Sequence, residues 1–243
     1  MVQTKPVPSD DPALNHSKLL KALELTLRYA IEHDGIGLTK SNAFNRKFAT
    51  WAAENFGWPG YSVEELLRIQ KVLNEEDVLP VWVIHDLLVL GKLGRHIKGR
   101  FKPNKRAYAL LADRSQLFEF LIECFMFGYD HSQLSRRPIM GLGNWDVFLN
   151  VINVEARNRL TEAHLVKTLY GLEQSKEVYD REYQDHALFL PISVLRPLEW
   201  MGLLRKVSAA NAKRSESIYL KTPLWAKLFD LPTDHIPASA SLN

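Results

Sequence analysis

From Ser17 onward the apolar residues recur at helical spacing. Leu19, Leu20, Leu23, Leu27, Ala30 and Ile31 face one way, while Lys18, Lys21, Glu24, Arg28 and Glu32 fall largely on the other side. This predicts an amphipathic helix that stops at Asp34-Gly35. Ile36 and Leu38 then make a short extended piece, and Thr39 or Ser41 offers an N-cap for a second helix, from Ser41 to Glu54. Phe44, Phe48, Trp51 and Ala52 share one face of that helix, and Gly57-Trp58-Pro59-Gly60 ends it. The spacing of Ser62 and Glu65 is that of a capping box, so a third helix is predicted there, with Leu66, Leu67, Ile69, Val72 and Leu73 as its apolar surface. Pro80 fits the first turn of a fourth helix, which runs through Val83, Ile84, Leu87 and Leu90 to Gly91. The period then changes. Leu93, Arg95, Ile97, Gly99 and Phe101 approach strand alternation, Pro103-Asn104 supplies a turn, and Arg106 to Leu111, with Tyr108, reads as the return strand.

Laid on itself, the chain repeats. Leu79-Pro80, Val83, Leu87, Gly91, Leu93 and Tyr108 return as Leu190-Pro191, Val194, Leu198, Gly202, Leu204 and Tyr219, each 111 positions later. The leucines carry little weight in a leucine-rich chain. The proline, glycine and tyrosine carry more, because they mark a helix start, a helix end and a return strand in one register. Upstream the second copy diverges: Leu117, Phe118, Leu121, Ile122 and Phe125 make an opening helix, and a loop from Pro138 to Gly143 leads to another helix through Trp145, Phe148, Leu149 and Ile152. Leu160-Thr161 echoes Leu38-Thr39, and Thr222-Pro223 starts a last short helix. The resulting division is a flexible N-terminal arm over 1–15, a first domain over 16–112, a second over 113–231 and a flexible tail over 232–243.

Composition adds limits. A chain of 243 residues with 46% hydrophobic content can bury real cores. No apolar run reaches the roughly 20 residues of a membrane span and no secretory signal is evident, so a soluble protein of the cytoplasm is expected. Cys124, the single cysteine, sits among Leu121, Ile122, Phe125 and Met126 and reads as a buried inert thiol. The net charge of +3 is unevenly spread: residues 1–112 hold 16 Lys and Arg against 12 Asp and Glu, residues 113–243 hold 15 against 16. The excess concentrates between Lys92 and Arg106, a stretch without Asp or Glu.

A helix ending in glycine, then a charged hairpin and a return strand, resembles the recognition helix and wing of bacterial MarR-like or PadR-like winged-helix proteins. Residues 80–111 and 191–222 carry the resemblance. It implies a mainly α fold with small β-hairpins as wings, two winged-helix-like domains in tandem, and a non-catalytic DNA-binding protein, a bacterial, phage or plasmid transcriptional regulator with duplex DNA as partner. Arg95, Lys98, Arg100, Lys102, Lys105 and Arg106 would form the first wing, and Arg205, Lys206, Lys213 and Arg214 a thinner second one. The plainer reading of such a hairpin is a solvated edge protected against aggregation. The helix from Pro80 to Gly91 departs from the family pattern, since its non-core positions hold no Arg, Lys, Asn, Gln, Ser or Thr to read base edges. In the second copy only Ser193 and Arg196 qualify, and Pro197 would kink or shorten the helix. Lys40, Asn42, Asn45, Arg46 and Lys47, at the start of the second helix, form the alternative polar patch for bases or phosphates. Trp82, Leu88 and Val89 are better suited to a protein surface, a second subunit of a homodimer included. The rival function is therefore an interaction adaptor docking through helices 80–90 and 191–201.

No catalytic constellation is present. Adjacent His and Asp recur at His33-Asp34, His85-Asp86, Asp130-His131, Asp185-His186 and Asp234-His235, but their positions do not predict convergence on one site. Gly141-Leu142-Gly143 lacks the preceding strand and third glycine of a phosphate loop. No enzyme, metal or cofactor is expected.

Overall fold

The structure, a computed structural model, describes residues 2–139, 141–157, 159–174, 180–208 and 217–236. The chain forms two compact units, an N-terminal one of Pro8–Tyr129 and a C-terminal one that joins Met1–Val7 to Asp130–Asn243. Both are mainly helical with a small antiparallel sheet.

In the N-terminal unit α1 (Lys18–Glu32) is capped by the Ser17 hydroxyl, which accepts from the Leu20 amide at 3.1 Å, and its apolar stripe is buried. Strand β1 (Ile36–Gly37) follows. Helix α2 (Arg46–Asn55) starts later than the pattern predicts, because Leu38 bridges to Phe44 and Asn42 turns the loop at φ 65°, leaving Asn45 as the N-cap. Helix α3 (Val63–Leu67) has the capping box of Ser62 and Glu65 but is one short segment, and Leu67, Ile69 and Val72 are exposed rather than packed. Helix α4 (Leu79–Leu90) matches its prediction, with Pro80 in the first turn.

The hairpin differs from its prediction. It joins β2 (Gly94–Ile97) to β3 (Arg100–Pro103) through Lys98 and Gly99, both at positive φ, the geometry that a two-residue turn requires. Pro103-Asn104 is not the turn: Asn104 caps a further helix, α5 (Lys105–Ala112), so Tyr108 lies on a helix and is exposed. The sheet order is β1-β3-β2, with Phe101 of β3 buried. Helix α6 (Arg114–Leu121) and the π-turn Ile122–Phe127 belong to this unit rather than opening the second. Arg114 bonds to Glu24 at 2.7 Å and to Asn15 at 3.0 Å, and the Phe120 ring lies so close to Gly91 that a Cβ there would meet it at 2.3 Å.

The C-terminal unit contains α7 (Trp145–Glu155), α8 (Glu162–Tyr170) capped by Thr161, and α9 (Arg181–Leu190). Pro191 does not start a helix. The chain continues from α9 through a π-turn, Pro191–Leu195, into α10 (Arg196–Trp200), and the looser pairing there accommodates prolines that have no N–H to give. Strands β4 (Leu204–Val207) and β5 (Ile218–Lys221) pair, Leu160 bridges to Tyr219, and α11 (Pro223–Leu228) starts at Thr222 as predicted. Most of the predicted arm, and residues 232–236 of the predicted tail, pack onto the units, while 237–243 of that tail lie outside the described residues. Thr4 bridges to Phe229, the Lys5 amide donates to Leu228 O at 2.7 Å, and Val7 is buried. Pro12–His16 is a 3-10 helix with Ala13 and Leu14 buried, and Asp234, within the 3-10 turn Pro232–His235, accepts from Asn153 at 2.8 Å.

The two units repeat one backbone device, in a register one residue from that of the sequence match. Leu93 N–H donates to Leu88 O at 2.9 Å, and Leu203 N–H to Leu198 O at 2.8 Å. The cap that follows each hairpin donates back to the same leucine, Asn104 to Leu93 at 2.9 Å and Thr222 to Leu203 at 3.0 Å. Even the cap side chains correspond: Asn104 Nδ2 donates to Lys92 O at 2.7 Å, and Thr222 Oγ1 to Gly202 O at 2.6 Å. The left-handed residue past the helix is therefore Gly202 (φ 77°) in one copy and Lys92 (φ 52°) in the other. Gly91 and Gly202 are not equivalents; Gly91 has ordinary helical φ and is small because Phe120 covers it. Nor is Tyr108 the partner of Tyr219. Phe101 fills that role, since Phe101 pairs with Ile36 as Tyr219 pairs with Leu160.

Candidate functional site

The N-terminal unit holds the features that invite a function. Helix α4 is buried on most of its surface: Val81, Val83, Ile84, His85, Leu87 and Leu88 are all inside. Leu88 is thus a core residue rather than the surface position expected of it. Trp82, Val89 and Leu90 remain exposed at 36%, 51% and 52%, one strip of apolar surface along the helix.

The basic residues divide into two groups. Arg100 reaches back to the end of α1, donating to Asp34 O at 2.9 Å and Gly35 O at 2.7 Å, where a cation and its N–H groups satisfy carbonyls left over at a helix terminus. Lys102 binds the Asp34 carboxylate at 2.9 Å, a hydrogen bond and charge that hold that carboxyl below its usual range. Arg106 donates to Gly91 O at 3.0 Å at the end of α4 and lies 5.8 Å from the Phe120 ring centroid. These three fasten elements together and are not a free wing. Lys40, Lys47, Arg95, Lys98 and Lys105 are exposed, and their side chains make no hydrogen bond or ion pair among the described residues. In the C-terminal unit Arg205 is exposed, Lys206 lies 3.9 Å from Glu162 and over the Tyr219 ring, and Lys213 and Arg214 fall outside the described residues.

Backbone pairing brings two of the expected clusters to one edge. Leu38 N–H donates to Gly99 O at 2.8 Å, so the hairpin turn bearing Lys98 lies against the loop that carries Lys40 and Asn42. That loop leads into α2, where Asn45 caps the helix by accepting from Phe48 N at 3.1 Å and Arg46 donates to Asn74 at 2.9 Å. Asn45 is thereby committed to local structure. Arg46 and Lys47 line a groove of ≈ 740 Å³ together with Trp82, Glu75 and Glu76. The groove therefore carries both signs of charge.

Beneath it lies a polar chain. Glu75, almost fully buried, accepts from the Phe44 amide at 2.5 Å and from His85 Nδ1 at 2.8 Å. His85 stacks on Phe44 with ring centroids 3.9 Å apart, and its Nε2 lies 3.1 Å from Nε2 of His96 on β2. Loss of hydration, then the neighbouring His85, lowers the pKa of His96, while Glu75 opposes the shift. His96 also lines a second groove, of ≈ 390 Å³, beside Lys92 and Arg95. In the sequence His85 stands out only as a neighbour of Asp86, whereas its partners in the fold are Glu75 and His96. Asp86 instead accepts from Tyr129 at 2.8 Å, and burial raises its pKa. Cys124 is half-buried rather than buried as expected, and burial raises its thiol pKa. Among the described residues no helix is long and apolar enough to cross a membrane.

Fold and site together define a mainly helical protein of two units, each with a small antiparallel sheet, whose N-terminal unit has a cationic edge. Residues 15–116 match the Y4jL N-terminal domain and residues 135–223 the y4jL C-terminal domain. The chain is 35% identical over 162 residues to the protein described as uncharacterized protein y4jL of Sinorhizobium fredii (strain NBRC 101917 / NGR234), covering 66% of this chain and 74% of that one. It belongs to the Y4jL family. No solved structure matches it at a significant level.

Proposed function

We propose that the protein is a non-catalytic DNA-binding protein of regulatory type, which grips duplex phosphates through the cationic edge of its N-terminal unit. The observation that carries this reading is the Leu38 to Gly99 hydrogen bond, because it sets Lys98 beside the Lys40 loop and the start of α2. The order of elements, with β1 laid on β3 of the hairpin, favours a winged-helix layout of MarR-like or PadR-like kind. A cytoplasmic bacterial, phage or plasmid setting goes with that reading.

The wing of this proposal consists of Arg95, Lys98 and Lys105 with Lys40 and Lys47, since Arg100, Lys102 and Arg106 are engaged within the unit. Buried α4 offers few groups for base edges, so binding is expected to depend on phosphates and to tolerate changes of sequence. Anisotropy of a labelled duplex at several salt concentrations tests this. Log affinity should fall with log salt by about 0.9 per phosphate contacted. Changing Lys40, Lys47, Arg95, Lys98 and Lys105 to Gln should flatten that slope. Equal affinity and slope in the variant would rule the proposal out.

A second reading, an adaptor that docks a protein or a second copy, is favoured by the exposed strip of Trp82, Val89 and Leu90. Trp82→Ala with Val89→Ser should then abolish self-association in sedimentation, while the variant that lacks the five cations should still self-associate.

A further inference from the structure

The geometry points to a metal site in the N-terminal unit: His85 and His96 together form a two-imidazole seat for a divalent transition metal of the zinc class, with Glu75 as its outer support. Glu75 is the starting point. Its carboxylate can only accept, so His85 carries its proton on Nδ1, the atom 2.8 Å away, and presents the Nε2 lone pair to His96. A carboxylate behind a histidine in this way fixes ring orientation and strengthens the nitrogen as a ligand. The support is itself rigid, because the Phe44 amide holds the same carboxylate oxygen and the Phe44 ring stacks on His85.

The second ligand is already in place. The two Nε2 atoms are 3.1 Å apart. Two imidazole nitrogens on one tetrahedral zinc ion, at Zn–N of about 2.0–2.1 Å, are separated by about 3.3 Å. Binding thus needs the nitrogens to part by a few tenths of an ångström, and the proton that bridges them moves through solvent to Nδ1 of His96, so that both Nε2 lone pairs face the ion. His96 is exposed on the edge strand β2, which gives the ion a route in. Among the described residues no group of three or more His, Cys, Asp or Glu forms a metal cluster, so the pair would supply two ligands and water or an anion would have to complete the coordination. Lys92 and Arg95, which line the groove beside His96, favour the anion.

The test uses the tag-free full-length chain after chelator treatment. Titration with Zn²⁺ by calorimetry and with Co²⁺ by visible absorption should give one equivalent bound per chain, with tetrahedral cobalt bands. His96→Ala, at an exposed position, should keep the far-ultraviolet spectrum and weaken binding about tenfold or more. His96→Cys removes the imidazole pair but keeps a ligand, so it should retain Co²⁺ and add thiolate charge-transfer absorption. Zinc binding equal in the wild type and in His96→Ala, or His96→Cys without the thiolate band, would reduce the pair to a shared proton only and overturn the inference.

Discussion

Lys92 is a lysine at φ 52° where the second copy has Gly202, and that single residue explains why the repeat is hard to align. A side chain in the left-handed region costs about 1–2 kcal/mol, which glycine avoids. Lys92→Gly should therefore stabilise the N-terminal unit by about 1 kcal/mol, and Gly202→Ala should destabilise the C-terminal unit by a similar amount, as read from urea unfolding midpoints. Gly91→Ala acts through sterics instead. Its Cβ would lie 2.3 Å from Phe120 and 2.9 Å from Leu87 O, so a loss of about 1–3 kcal/mol is expected. If Gly91→Ala were neutral and Lys92→Gly harmful, the original one-to-one match of Gly91 with Gly202 would be restored. Tyr170 gives a prediction of pH dependence. Burial pushes its phenol up to about 12 from the ordinary 10, and its hydroxyl donates to Leu142 O at 2.7 Å. The folded state holds this proton after the unfolded state has lost it, so the contribution to stability is fully present below pH 10 and falls as pH rises towards about 12. Tyr170→Phe should remove the most alkaline phase of the tyrosine absorbance titration.

At the scale of elements, the basic stretch from Lys92 to Arg106 divides between architecture and surface. Arg100 closes the end of α1 and Arg106 the end of α4, each supplying donors to carbonyls that a helix terminus leaves without partners. Arg100→Ala should cost about 1–2 kcal/mol in thermal or urea unfolding, with little change in salt-dependent DNA affinity. Lys98→Ala should do the opposite, because Lys98 lies at the turn tip without a partner among the described residues. Identical behaviour of the two variants in both measurements would mean that this division is wrong. The run of charge was legible in the sequence, but its use was not. A lysine or arginine that caps a helix distant in sequence has the same letter as one that faces solvent. The helices themselves were more legible: α1 and α4 follow their apolar periodicity, while α2 begins at Asn45 rather than Thr39 or Ser41 because the Leu38–Phe44 bridge takes up the intervening residues.

For the whole molecule, the division of the chain is not the one that the apolar pattern and the internal match suggest. α6 packs with the N-terminal unit, while the first seven residues join the C-terminal one. Deleting residues 2–7 should leave the unfolding of the N-terminal unit unchanged and destabilise the C-terminal unit by about 1.5–3 kcal/mol, the magnitude of burying one Val side chain. Hydrogen exchange would locate the effect at Leu228 and Phe229, where Lys5 and Thr4 pair; faster exchange in the N-terminal unit instead would contradict it.

Periodicity, caps and the internal match were enough to determine a mainly helical chain in which a helix hands over to a paired hairpin twice, because such signals depend on residues a few positions apart. Only the tertiary structure decided which hairpin residue turns, which cations are spent on helix ends, and that Glu75, His85 and His96 meet. Those outcomes depend on pairing between segments far apart in the chain, where backbone register and burial, not local spacing, select the partner.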